Sequence, residues 1–140
     1  MDATTLDLIK LLVSVLIGAF LGIERRKAGK PAGLRTLSLV SSGATLAVIT
    51  MLNAFPNDTS RVIQGILTGI GFLGAGAIIS NREGISGLTT AASIWATSII
   101  GVAIGLGEFV LGITFAVIAY FVLEMGHVEE LIVGRKKSSK

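Results

Sequence analysis

Five apolar stretches alternate with short polar connections along this chain of 140 residues: Leu6 to Ile23, Leu37 to Phe55, Val62 to Ile79, Leu88 to Leu106 and Phe109 to Leu123. Each holds about 15 to 19 residues, just under the roughly 20 that cross a bilayer as a helix. The pattern predicts an all-α membrane domain, a bundle of about five transmembrane helices. The fifth stretch is the shortest, and it either continues through Glu124 to Gly126 or stands with little tilt. Residues 1–126 form the expected transmembrane domain. Residues 127–140 form a short basic tail whose first part, His127 to Val133, suits a final helical turn at the interface.

Composition agrees with the pattern. The chain is 51% hydrophobic and 15% charged, with a mean hydropathy of +0.80, where soluble domains carry about 25% charged residues. There is no cysteine, so disulfides, thiolate metal sites and a cysteine nucleophile are excluded. The single histidine, His127, cannot build a zinc site alone. The net charge of +3 is no nucleic-acid signal, because the basic residues sit between apolar spans. They report topology instead. Arg25, Arg26, Lys27, Lys30, Arg35, Arg82, Arg135, Lys136, Lys137 and Lys140 fall on one side, and Lys10 and Arg61 on the other. The positive-inside rule then places the N-terminus outside and the C-terminus in the cytoplasm. The first span follows Asp2 and Asp7 rather than a positive region, so it reads as a retained helix and not a signal peptide.

Glycine is the second signal, at 18 of 140 residues against an average near 7%. Gly65 and Gly69 are spaced as small-xxx-small, and Gly71, Gly74 and Gly76 widen the smooth surface. Gly18 with Gly22 and Gly101 with Gly105 repeat that spacing on helices one and four. These three helices are expected to touch, with helix three central and Gly101-x-x-x-Gly105 available to a twin copy. The segment Gly69 to Gly74 also matches G-x-G-x-x-G literally, but the strand, soluble helix and distal acid of a dinucleotide site are missing.

The polar residues each admit a structural and a functional reading. Asn57, Asp58 or Thr59 suits the cap of helix three, and Asp58 pairs naturally with Arg61 three positions on. The alternative is that Asp58 receives a cation at an outer mouth, with Gln64 and Thr68 continuing a polar stripe inward. The connection Glu24 to Thr36 is either an orienting basic loop in contact with anionic lipid or a specific network. That network would join Glu24, Arg26 and Arg35 to Arg82 and Glu83, with Thr36 capping helix two. Trp95 either anchors at the interface or seals the interior. No Asp, Glu, Lys or His sits mid-membrane, which argues against a self-sufficient ion-coupled pump. Nor is there a nucleophile–base pair or carboxylate dyad placed for hydrolysis, so catalysis is not expected.

Three of these segments together carry a family resemblance. Gly22-Ile-Glu24-Arg25-Arg26 and Lys30-Pro31-Ala32-Gly33-Leu34-Arg35-Thr36 resemble the first signature of the MgtC/SapB membrane-protein family. The run from Arg61 through Gln64, Gly65, Thr68, Gly69, Gly71 and Gly74 to Gly76 is similar to the second, and Gly87-Leu88-Thr89-Thr90 through Trp95 to the third. The resemblance covers roughly residues 5–125. It implies a multi-pass inner-membrane protein linked to growth or survival at low magnesium, and in some pathogens to life inside macrophages. Some members restrain the F-type ATP synthase or alter membrane potential. The signature polar positions would be Glu24, Arg25, Arg26, Lys30, Arg35, Thr36, Arg61, Gln64, Thr68, Thr89 and Trp95. Two departures stand out: many members carry a cytosolic C-terminal domain that these 140 residues leave no room for, and some carry Asn where Thr89 stands.

The leading expectation is therefore a regulatory protein of magnesium homeostasis that acts through a membrane partner and forms a homodimer in the lipid bilayer. A magnesium or cation transporter, with Mg²⁺ met by Asp58, is the alternative. A structural, lipid-organising bundle is the third.

Overall fold

A computed structural model describes residues 2–82 and 84–132. Five α-helices follow in order: α1 Ala3–Lys27, α2 Leu34–Ala54, α3 Thr59–Gly76, α4 Leu88–Leu106 and α5 Phe109–Ile132. A 3₁₀ turn, Pro56–Asp58, leads into α3. Two short strands, β1 Ile79–Asn81 and β2 Gly84–Ser86, form an antiparallel hairpin between α3 and α4, with Ile79 opposite Ser86 and Ser80 opposite Ile85. Four helices are long and apolar enough to cross a membrane: α1, α2, α4 and the Phe109–Gly126 part of α5. The shorter α3 carries Arg61 and Gln64 in its first half and falls outside that set.

Helix ends follow local chemistry. Arg25, Arg26 and Lys27 crowd the last turn of α1, where cations suit the carbonyl end of the helix dipole. Gly29, at φ 65, then turns the chain. Gly107, at φ 92, closes α4, and the Glu108 amide reaches back to the Ala103 carbonyl. Helix α5 continues to Ile132, beyond the apolar stretch, because nothing in residues 124–132 breaks a helix. The tail from residue 133 lies outside the described residues.

The centre of the bundle is α4, not α3. Helix α4 packs against each of the other four, and it buries Ser93, Ile94, Thr97, Ser98, Ile100, Gly101, Ile104 and Gly105. Helix α2 lies between α1 and α4. Two glycine pairs make this possible. A Cβ at Gly18 would strike Leu37 and Ser38, and one at Gly22 would strike Leu34, so α1 rests directly on the α2 backbone. Gly101 and Gly105 receive Ser41, Ala44 and Val48 of the same helix. Gly101-x-x-x-Gly105 is thus consumed inside the chain and is not available to a twin.

Helix α3 packs on α4 and more lightly on α2, through Ile63, Ile66 and Ile70, and Gly74 touches Ala91. Among the described residues, a Cβ added at Gly65, Gly69, Gly71 or Gly76 would meet nothing within 4 Å. The expectation of a central helix three fails for a physical reason. Glycine permits close approach of a backbone but does not specify which backbone approaches. The run to Ile79 also ends early as a helix. Gly87, at φ 87, lies so tightly against Ala77 that no side chain fits there, and this contact closes the hairpin.

Candidate functional site

The chain's chemistry gathers at the end of the bundle where α1 finishes and α2 and α4 begin. Glu24 is 1% exposed and Arg25 is 3% exposed, although both belong to the polar segment that follows the first span. Arg25 Nη2 donates to Thr90 Oγ1 at 2.8 Å, in the first turn of α4. Thr90 is itself buried, so this bond ties α1 to the central helix in a setting where an unmade bond is costly. Arg25 was not part of the expected network, yet a helical-wheel reading would have placed it inside. It lies seven residues from Gly18 and three from Gly22, on the face that packs.

Arg26 and Arg35 do come together. With Gly33, Leu34 and Thr36 they line an open recess of about 460 Å³. Glu24 does not line this recess, Arg82 is exposed on the hairpin turn, and Glu83 is outside the described residues. Thr36 does not cap α2 either. The helix begins at Leu34, and Gly33 is its N-cap with no side-chain bond. Lys30 is exposed in the α1–α2 connection, and its amide donates to the Arg25 carbonyl at 3.0 Å.

Between the two ends the apolar core also holds neutral polar side chains. Ser14, Ser41, Thr45, Ser93, Thr97 and Ser98 are all buried. Thr45 Oγ1 donates to the Gly101 carbonyl at 2.7 Å, and Thr97 Oγ1 to the Ser93 carbonyl at 2.7 Å. The first joins α2 to α4 at modest energy, and the second stays within α4. At the far end Lys10 is buried beside Asp7 at 3.6 Å, and Asn53 Nδ2 donates to the same carboxylate at 3.0 Å. Lys10 also lies against Gly107, at the carbonyl end of α4, where a cation is favoured.

Asp58 occupies the N-cap position of α3 but makes no capping bond. Its carboxylate faces Arg61 Nε at 3.6 Å, with both side chains exposed. Arg61, Gln64, Gly65, Thr68, Gly69 and Phe72 are all exposed and run along one outer face of α3, where Phe72 reaches 84% exposure. Thr89 and Trp95 are exposed on α4, Trp95 at 47%. Among the described residues no group of three acidic or histidine side chains is placed to hold a metal ion.

Comparisons with known proteins cover most of this chain. The family model for the MgtC family matches residues 11–130. The chain is 42% identical over 119 residues to Protein SrpB of Synechococcus elongatus, covering 74% of this chain and 65% of that one. It is 40% identical over 129 residues to the Putative magnesium transporter YhiD of Escherichia coli K12, covering 86% and 60%. It is 41% identical over 102 residues to Protein MgtC of Salmonella typhimurium, covering 73% and 44%. The chain therefore spans between 44% and 65% of the length of these relatives. No solved structure matches it. With four helices able to cross a membrane and a family match over most of its length, this chain is a membrane protein that belongs to the MgtC family.

Proposed function

We propose that this protein serves magnesium homeostasis from the inner membrane, N-terminus outside, and that it acts by engaging a membrane-protein partner through the outer face of α3. The observation that carries the reading is the row Arg61, Gln64, Gly65, Thr68, Gly69 and Phe72, exposed on a helix packed against the apolar helices α4 and α2. Lipid offers nothing to a glycine surface or a glutamine amide. A second helix fits the first closely and hydrogen-bonds the second. The name of the relative YhiD, a putative magnesium transporter, supports the link to magnesium. The partner is a helical membrane complex, such as the F-type ATP synthase that the family resemblance suggests, or a second copy of this chain.

Because the chain lacks cysteine, single cysteines at Gly65 and Gly69 report the contact directly. Crosslinking from these positions in native membranes is expected, with none from Leu46 on α2. Gly65→Leu should abolish growth support at low magnesium while leaving membrane insertion intact. Normal growth with Gly65→Leu, together with no crosslink from α3, would sink the proposal.

A second reading, cation passage, draws on the same row. Asp58, Gln64 and Thr68 face outward, so a polar path along them would require two copies facing each other. Magnesium entry into liposomes that depends on Asp58 would favour passage. No entry, with crosslinking from α3, would favour partner engagement.

A further inference from the structure

We propose that the recess lined by Arg26, Gly33, Leu34, Arg35 and Thr36 is a binding site for the phosphate of an anionic phospholipid headgroup. The recess measures about 460 Å³, within the roughly 300–1,000 Å³ of small-ligand sites. Its shape follows from Gly22, which brings the first turn of α2 against α1 and sets Arg26 beside Gly33. Two guanidinium-bearing side chains from two helices therefore meet at one opening. Among the described residues neither makes an ion pair and no carboxylate lines the recess. Arginine is the side chain suited to bidentate phosphate contacts.

The backbone adds donors to these charges. The first amides of a helix have no intrahelical acceptor, and Gly33 supplies no side-chain cap to those of Leu34, Arg35 and Thr36. The first turn of α2 holds no acidic residue to fill that role. The Thr36 hydroxyl completes the set.

The surroundings favour a lipid over free phosphate. Ile23 lies one turn from Arg26 towards the bundle centre and is 43% exposed. Leu39 lies one turn from Arg35 in the same direction and is 72% exposed. A headgroup held by the two arginines thus finds an apolar wall for its acyl chains on both helices. A soluble phosphate gains nothing from that wall.

The test uses the purified full chain in detergent, with dioctanoyl phosphatidylglycerol, dioctanoyl phosphatidylcholine and inorganic phosphate as separate probes. Native mass spectrometry counts bound lipid, and the unfolding midpoint reports stabilisation. Phosphatidylglycerol is expected to bind at least tenfold more tightly than phosphatidylcholine, and an Arg26→Gln, Arg35→Gln double variant should lose that preference. Arg82→Gln, on the hairpin, should keep it. Gly33→Asp guards against a variant that simply fails to fold. Gly33 has ordinary backbone angles and room for a Cβ, with the nearest contacts at 3.8 Å. An aspartate there caps α2 and places a carboxylate where the phosphate would sit, so folding should persist while the preference disappears. Equal binding of both lipids, or a preference that survives in folded Gly33→Asp, overturns the site. Inorganic phosphate that matches phosphatidylglycerol in stabilising the protein overturns the lipid assignment.

Discussion

Replacing Gly101 with alanine should force apart the two helices on which the bundle is built. An added Cβ would stand 3.0 Å from the Ala44 Cβ and 3.0 Å from the Ser41 carbonyl carbon, and closer still to the Ser41 oxygen. Carbon atoms pack best at about 3.5–4.0 Å, so α2 and α4 must open by roughly 0.5–1 Å. The same turn carries the buried bond from Thr45 Oγ1 to the Gly101 carbonyl, now 2.7 Å. That opening stretches it to about 3.2–3.7 Å, at or past the limit for a hydroxyl donor. Overpacking costs about 1–3 kcal/mol, and an interhelical hydrogen bond in a membrane protein contributes about 0.6–1.7 kcal/mol. Together they set an expected loss of about 2–5 kcal/mol. Gly65→Ala is the matched control, because its Cβ would meet nothing within 4 Å. It should stabilise the isolated chain by about 0.5–1 kcal/mol, through reduced backbone freedom in the unfolded state. Titration of SDS into mixed micelles, followed by circular dichroism and Trp95 fluorescence, measures both variants on one scale. A Gly101→Ala midpoint equal to wild type would refute the packing argument, as would Gly65→Ala falling alongside it.

Three further outcomes follow from particular contacts. Thr90→Val removes the acceptor of Arg25 Nη2 and should cost about 1–3 kcal/mol in the same titration, while Thr90→Ser should stay near wild type. Asp7→Asn weakens a carboxylate shared by Lys10 and Asn53 and should destabilise by about 1–2 kcal/mol; a double-mutant cycle with Lys10→Met should show coupling. The Thr5 hydroxyl, donating at 2.6 Å, holds the Asp2 carboxyl below its usual 3.8. A depressed folded-state pKa means that this contact is complete above the ordinary carboxylate range and is lost as pH falls through the lowered value. An NMR titration should show Asp2 moving upward in Thr5→Val, and no movement would refute the assignment.

The far-reaching contacts were the hardest to read in advance. Gly18, Gly22, Gly101 and Gly105 were recognisable as packing positions, and each does receive a neighbouring backbone or side chain. Gly65 and Gly69 carry the same spacing, and among the described residues a Cβ there would meet nothing within 4 Å. Arg26 and Arg35 line one recess because the first sits in the last turn of α1 and the second in the first turn of α2. Glu24, expected beside them, is buried and does not line that recess. Arg25 looked like one more interfacial cation, and only the position of Thr90, 65 residues later, shows where it goes.

Local composition alone determined that this is a membrane protein of five helices, where its polar connections fall and which spacings allow helices to touch. Those properties depend on the length and polarity of each segment by itself. The tertiary structure decided that α4 rather than α3 is central, that a hairpin separates them, and that one glycine face is left on the outside. In water, burial separates apolar from polar faces, and a helix's sequence reports its inner side. In a bilayer, lipid and protein interior are equally apolar, so hydrophobicity cannot mark the inner face. It is the mutual fit of α1, α2 and α4 at Gly22, Gly101 and Gly105 that does so.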